Sequence, residues 1–293
     1  MGMSNSGQSS NSDDFKAQQR QMWDNAAAGW QTWWETIEHG AQKVSDKIVE
    51  LAEINPGSKV LDIATGIGEP AVTAARKVKP NGRVLATDIS SQMLAIARTR
   101  ATSVGLDSIM EFRESDGEKL DLPDSDAKFD AVLSRWGLMF FPNLPTALDR
   151  IKQLLNPNGR ISAAVWSAPP KVPLLGLAFA TVRKQINAPA PLPGTPGPFA
   201  LADIEALKQS FSQAGFKDIK TDTFQITFEF DSPESYTKFH QQITAPIHAM
   251  LANYSDEVKK QAWDSITEAV WQYADSHGRV SLDNEVICIV GRN

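Results

Sequence analysis

An α/β fold with a largely parallel sheet is predicted by three observations. Short apolar, β-branched segments alternate with segments of helical period between residues 59 and 166. The first such segment, 59–63, stops at a turn holding two glycines, and a helical pattern follows at once with Ala71, Val72, Ala74, Ala75 and Val78. Strands joined through helices take right-handed crossovers, which lays them parallel in one sheet. Finally, 293 residues with 42% hydrophobic and 22% charged side chains suffice for a full core, in one large domain or a domain with a cap.

The turn is Val60-Leu61-Asp62-Ile63-Ala64-Thr65-Gly66-Ile67-Gly68-Glu69-Pro70-Ala71. Glycine at 66 and 68 permits positive φ and lets a ligand touch backbone. Pro70 suits a first helical position, where a missing N–H costs nothing. Such a strand–turn–helix crossing binds nucleotide-type cofactors. The spacing Gly66-x-Gly68-x-x-Ala71, with Asp88 twenty residues past Gly68, satisfies a loose dinucleotide fingerprint. Two side chains speak against a pyrophosphate. Glu69 places a carboxylate at the helix start, where free N–H groups and the dipole would otherwise attract phosphate. Asp62 lies within the strand, and a buried carboxylate needs a partner, for which an ammonium is suited. S-adenosylmethionine offers an ammonium and no phosphate.

The other elements follow in order. Residues 1–13 are mostly Ser, Asn, Gly and Gln, with little to bury, and read as a disordered tail. Residues 15–38 form a helix carrying Met22, Trp23, Trp30, Trp33 and Trp34, which is half of the eight tryptophans. It is either a packing helix or an aromatic cover over the cofactor and its partner molecule. A second helix spans about 42–53, ended by Pro56-Gly57. Beyond the first crossing helix, 83–87 is a strand closed by Asp88, and Ser90 or Ser91 caps the next helix. Asp88 is placed to accept ribose hydroxyls, with helix capping as its competing role. Residues 110–113 form a third strand, followed by Asp116 and Gly117. Residues 129–134 form the fourth, and Ser134 to Phe140 leave its C-terminal end, where open α/β sheets bind ligands. A helix over 144–155, a turn over 156–159 and a fifth strand over 160–166 complete the alternation.

Beyond residue 167 the pattern changes. An apolar helix (174–186) precedes a proline-rich segment, 188–199, that fits neither helix nor central strand and reads as a stiff loop or lid. A helix over 203–214 and a strand over 216–230 come next. Helices over 233–253 and 255–277 then read as a cap, before a final alternating strand over 280–290.

The run Val-Leu-Asp-Ile-Ala-Thr-Gly-Ile-Gly-Glu-Pro resembles motif I of class I S-adenosylmethionine-dependent methyltransferases. The segments after it resemble the subgroup around the ubiquinone and menaquinone C-methyltransferases, over residues 58–167. The resemblance implies a Rossmann-like seven-stranded mixed sheet, mostly parallel with the last strand antiparallel, with a helical N-terminal cover and a C-terminal cap insertion. It implies that Asp62, Ala64, Thr65, Gly66 and Gly68 meet the methionine end of the cofactor. Asp88 then holds the ribose, Ile89 and Met93 border the adenine, Asp116 with Gly117 reads its amino group, and Ser134 lies near the methyl. The expected division is a tail (1–13), a helical cover (14–56), a cofactor-binding core (57–170) and a lid with the last strands (171–293).

The expected reaction is methyl transfer to a small, largely apolar molecule through an oxygen, carbon or nitrogen acceptor. Trp23, Trp30, Trp136 and Phe140 are candidates to enclose it. His240 and His248, eight residues apart on one expected helix, are the candidate bases, with a structural histidine as the plainer reading of each. No His/Asp/Glu spacing suggests a metal. A net charge of −6 and a pI near 5.3 argue against a nucleic-acid partner, as does the missing Asn/Asp-Pro-Pro-aromatic sequence after the fourth strand. The single Cys288 excludes internal disulfides. No apolar stretch approaches the roughly 20 residues of a membrane span, and no signal segment is visible, so the cytoplasm is expected. Oligomeric state stays open. Two rivals remain: an NAD(P)-dependent oxidoreductase, and a non-catalytic S-adenosylmethionine-binding protein whose cap leaves no acceptor pocket.

Overall fold

A computed structural model describes residues 6–122, 128–192 and 194–293, with side chains described from residue 14 onward. One seven-stranded sheet runs through it. Its strands are β1 (Lys59–Ile63), β2 (Arg83–Asp88), β3 (Met110–Glu114), β4 (Phe129–Arg135), β5 (Leu155–Trp166), β6 (Lys217–Phe230) and β7 (Val280–Arg292). Their order is β3-β2-β1-β4-β5-β7-β6. The first five pair parallel, and β7 runs antiparallel to both β5 and β6. The chain winds outward in both directions from β1, so the crevice at the C-terminal ends of β1 and β4 is the expected ligand position.

Alternation along β1 sets the two layers. Leu61 and Ile63 share one core with Val44 and Ile48 of α2 (Trp34–Leu51) and with Leu148 and Ile151 of α5 (Leu144–Leu154). Val60 belongs to the opposite core, with Ala71, Ala74, Ala75 and Val78 of α3 (Ala71–Val78). Asp62 shares that second face, so a carboxylate enters a layer of alanines and valines beneath α3. Ser90 caps α4 (Ser91–Ser103) as expected, its hydroxyl accepting the Met93 N–H at 3.1 Å.

The N-terminal segment departs from expectation. Helix α1 runs Ser6–Thr32, so the backbone of 6–13 is helical where a disordered tail was expected, and 1–5 lie outside the described residues. Once a helix is anchored by packing, each added residue closes one more hydrogen bond. The first cover helix also ends earlier than expected, at Thr32, and after Trp33 α2 starts at Trp34 rather than near 42. Trp33 is held there by its indole N–H donating to Gln242 Oε1 and by edge-on contact with Phe239 at 5.5 Å.

The cap also departs. The helix expected over 233–253 is two helices, α8 (Pro233–Ile243) and α9 (Ala245–Leu251), parted at Thr244 with φ −91° and ψ 72°. In a continuous helix the Pro246 ring would collide with the Gln242 carbonyl four residues back; at the second position of a new helix it fits. The helix expected to reach 277 stops sooner, as α10 (Asp256–Val270), and β5 begins at Leu155, taking in the expected turn over 156–159. Between β5 and β6 lie α6 (Pro173–Gln185) and α7 (Ile204–Gln213). In the proline-rich connection between them, the Gly197 N–H donates to the Met139 carbonyl at 2.9 Å, which seats the loop beside the end of β4.

Candidate functional site

A cavity opens over the C-terminal ends of β1, β2 and β4, between them and α1, α8 and α9. Its first wall is the glycine turn: Ala64, Thr65, Gly66 and Ile67 line it. Gly66 has φ +55° and a side chain added there would meet nothing within 4 Å, so backbone is presented to open space. Gly68, at φ +107°, does not line the cavity; it packs against Ala97 of α4.

Asp88 closes the second wall. Its Oδ2 accepts the Gly66 N–H at 2.8 Å and its Oδ1 accepts the Ser90 N–H at 2.9 Å. The carboxylate thus ties the end of β2 to the glycine turn. Burial pushes it up to about 6, with those N–H groups working in the other direction. Ile89 and Met93 line the cavity beside it. Asp116 and Gly117 line it from the loop after β3. Asp116 is not free: Lys16 of α1 donates to it at 2.7 Å and pairs with Glu118 as well. Burial works against the Lys16 charge, and the two carboxylates outweigh it and raise its pKa.

Asp62 acts from beneath. It does not line the cavity; Oδ2 accepts the Ala71 N–H at 3.1 Å, pinning the start of α3, while Oδ1 has no hydrogen-bond partner. Burial pushes this carboxyl up to about 8. The Thr65 hydroxyl beside it works in the other direction without completing a hydrogen bond, and sits on the wall above. Glu69 does line the cavity, and its Oε2 accepts from the Thr73 hydroxyl at 2.7 Å. Burial raises its pKa, and Glu38 adds to that.

The far wall is aromatic. Trp23 and Trp30 of α1 stand edge-on at 6.4 Å, and Trp23 meets Phe140 edge-on at 5.1 Å. Trp136, with φ +61°, stacks on Trp166 at 4.2 Å and 11°. All five line the cavity, as do Phe228, Phe239 and Ile243. The four side chains expected to enclose an acceptor therefore converge. α1 closes over the cavity: Ala26 and Ala27 pack with Ile67, Met93 and Ala245, and Asp24 accepts from the Ser90 hydroxyl at 2.5 Å.

Besides Gly68 and Asp62, which stand behind the wall rather than on it, three further expectations need correction. Ser134 does not reach the cavity; it is fully buried and its hydroxyl donates to the Ile63 carbonyl at 3.0 Å, joining β4 to β1. His240 does not reach it either. It is enclosed by Tyr236 and Phe239, with Nδ1 at 2.8 Å from the Thr244 hydroxyl, and burial pushes it down to about 3. A neutral, walled-in imidazole cannot collect a proton from a bound molecule. His248 sits on the other side of the break at Thr244, its Nε2 beside the Gln241 carbonyl at 2.6 Å and its ring against Trp263. The helix break removes the common face that made the pair candidate bases.

Sequence reasoning also missed Arg135. At the end of β4, it makes a two-pronged pair with Glu38 of α2, at 3.0 and 3.3 Å, and donates to Ser45 at 2.9 Å. Burial opposes its charge, and Glu38 more than compensates. An Arg directly before the quoted Trp136 was the available signal, without any hint of its partner.

Among the described residues no cluster of three His, Cys, Asp or Glu could hold a metal ion, and no helix is long and apolar enough to cross a membrane.

This architecture is that of a class I methyltransferase domain, and comparison with known proteins agrees. Residues 60–159 match a family model described as a methyltransferase domain. The ubiquinone/menaquinone biosynthesis C-methyltransferase of Pseudomonas putida strain F1 is 36% identical over 121 residues, which is 41% of this chain and 46% of that one. The chain thus spans about half the length of the curated relatives it matches. Among solved structures, the [4+2]-cyclase SpnF superposes with a TM-score of 0.59 at 20% identity, covering 94% of this chain and 96% of that one. Phosphoethanolamine N-methyltransferase 2 of Haemonchus contortus, solved with S-adenosyl-L-methionine, gives 0.52 at 19%, covering 86% and 52%. At these identities the two structures speak for the fold alone. The chain carries a class I S-adenosylmethionine-dependent methyltransferase domain.

Proposed function

We propose that this protein is an enzyme that transfers a methyl group from S-adenosylmethionine to a small, largely apolar molecule. The observation that carries the reading is one continuous cavity joining two kinds of wall. Polar strand ends, from Thr65 to Asp116, adjoin an aromatic chamber formed by Trp30, Trp136, Trp166 and Phe239. A cap closed down on the strand ends would have favoured the non-catalytic rival; the aromatic walls beside them support room for an acceptor.

The residues fit the cofactor. Gly66 exposes backbone to open space, the Thr65 hydroxyl on the wall completes no hydrogen bond, and Asp88 has acceptor lone pairs left after its two backbone bonds. Asp88 would accept the ribose hydroxyls, Ile89 and Met93 would flank the adenine, and Asp116 with the Gly117 backbone would meet its amino group. Ala64, Thr65 and Gly66 would hold the methionine end, with Asp62 and Gly68 shaping the turn from behind. Glu69 on the wall places a carboxyl where a dinucleotide would need to bring its pyrophosphate, which disfavours the oxidoreductase rival.

When bound, the cofactor supplies a methyl group already activated for displacement by its sulfonium. What remains for the protein is alignment and exclusion of water. The Trp136–Trp166 stack gives the acceptor a flat, rigid wall past the end of β4. The docked α1 covers one side of the cavity with Trp23, Trp30 and the Lys16–Asp116 pair. With His240 and His248 both outside the cavity, this reading assigns no histidine a proton-transfer role.

Two tests separate the parts. S-adenosylmethionine and S-adenosylhomocysteine are expected to raise the melting temperature, and NAD(H) to leave it unchanged; preferential stabilisation by NAD(H) would reverse the assignment. Trp136→Ala removes one face of the chamber and none of the proposed cofactor contacts. Its turnover, followed as S-adenosylhomocysteine release with apolar quinols, phenols and amines, should fall by about 10–100-fold, as misalignment at the reacting centre does. Its affinity for S-adenosylhomocysteine should change less than about threefold, within ~0.7 kcal/mol. Equal losses in both would place Trp136 at the cofactor instead.

A further inference from the structure

Thr244 occupies an unusual place in the cavity wall. It lies where α8 stops and α9 begins, outside helical backbone. Its own backbone groups are satisfied, the N–H donating to the His240 carbonyl at 3.1 Å and the carbonyl accepting the Ile247 N–H at 2.9 Å. Every other polar side chain lining the cavity belongs to α1, to the glycine turn, or to a strand end and the loop after it. On the cap side, among Phe239, Ile243 and Pro246, Thr244 brings the polar side chain.

We propose that Thr244, oriented by His240, accepts a hydrogen bond from a hydroxyl or N–H carried by the apolar molecule in the aromatic chamber. The inference rests on reading that chamber as the acceptor site. His240 is fully buried, and its Nδ1 lies 2.8 Å from Thr244 Oγ1. Burial keeps this imidazole neutral, pushed down to about 3, so one ring nitrogen carries hydrogen and the other a lone pair. Nε2 completes no hydrogen bond; the Leu174 carbonyl, which accepts the Tyr236 hydroxyl at 2.8 Å, is also the backbone acceptor felt by this ring, and it favours a hydrogen on Nε2. Nδ1 then holds the lone pair, the Thr244 hydroxyl donates to it, and the remaining lone pairs of Oγ1 are left as acceptors. His240 is thereby a positioning residue: it turns an ambivalent hydroxyl into an acceptor. A site built to accept a hydrogen bond rejects the matched molecule that lacks the donor more strongly than it discriminates by size. α1 holds the junction in place, since a side chain at Gly29 would meet the Gln242 carbonyl carbon and oxygen at 2.6 and 2.0 Å.

The test uses full-length protein saturated with S-adenosylhomocysteine and titrated calorimetrically with naphthalene, 2-naphthol and 2-methoxynaphthalene as probes. The wild type is expected to bind 2-naphthol about tenfold more tightly than the methyl ether, the ratio of one net hydrogen bond. Thr244→Val should erase the ratio, Thr244→Ser should keep it, and His240→Phe should reduce it by leaving the hydroxyl free to turn. Unchanged S-adenosylhomocysteine affinity certifies that each variant is folded. Equal affinity of wild type for naphthol and ether, or a ratio that survives Thr244→Val, overturns the role of Thr244. Failure of all three probes, naphthalene included, overturns the reading of the chamber as an apolar acceptor site, and with it this inference.

Discussion

Replacing Glu38 by alanine is expected to lower the free energy of unfolding by about 3–5 kcal/mol, the usual consequence of leaving a desolvated charge without its partner. Arg135 and Glu38 are 8% and 9% exposed, so little water is available to take over the lost contacts. The guanidinium would keep its hydrogen bond to Ser45 and lose both bonds to the carboxylate. The consequences extend to the site, because Arg135 is the last residue of β4 and immediately precedes Trp136, whose ring lies under its guanidinium at 5.2 Å. Urea denaturation of the ligand-free protein measures the loss. The double variant Glu38→Leu/Arg135→Met should recover most of it, since two apolar side chains of similar reach carry no desolvation cost. A single-variant loss under about 1 kcal/mol would mean the pair behaves as a surface ion pair does, contrary to its burial.

That pair also marks the limit of what the sequence discloses. The glycine turn, Asp88 and the Ser90 cap are local devices, each written within a few residues, and all stand where the sequence places them. The alternation from 59 to 166 likewise gives the sheet. Contacts between distant segments carry no such mark: Glu38 and Arg135 are 97 residues apart, and Lys16 and Asp116 are 100 apart. The histidines fail for a different reason. Their shared face assumed a continuous helix, whereas Pro246 was present in the sequence and sufficient to break it. The reaction itself is less legible than the fold. SpnF, a [4+2]-cyclase, shares this architecture over 94% of the chain, so the fold does not dictate methyl transfer. The chemistry has to be argued from the cavity walls.

Of those walls, the Asp88 carboxylate offers the sharpest test, because mutation and pH should act on it in a linked way. Asp88→Ala is expected to weaken S-adenosylhomocysteine binding by about 1.5–3 kcal/mol, roughly 10–150-fold, for lost hydrogen bonds to a charged group. Part of that would come through the turn, since the Gly66 and Ser90 N–H groups lose their acceptor. The pH dependence separates ligand contact from turn geometry. The folded carboxyl sits at about 6 against an ordinary 3.8, because burial disfavours its charge. Going down in pH through 6, the folded protein takes up this proton before the unfolded chain does, so this group's contribution to stability rises between about pH 6 and 4. Affinity should move the opposite way. A protonated carboxyl loses acceptor capacity, so S-adenosylhomocysteine binding should be level above pH 6 and weaken below it, by at most about tenfold per pH unit for one proton. Asp88→Asn should flatten that slope while keeping the side chain's size. Calorimetric titrations at pH 5, 6 and 7 on both proteins decide the matter. A slope that persists in Asp88→Asn belongs to another group and would remove Asp88 from the ribose position.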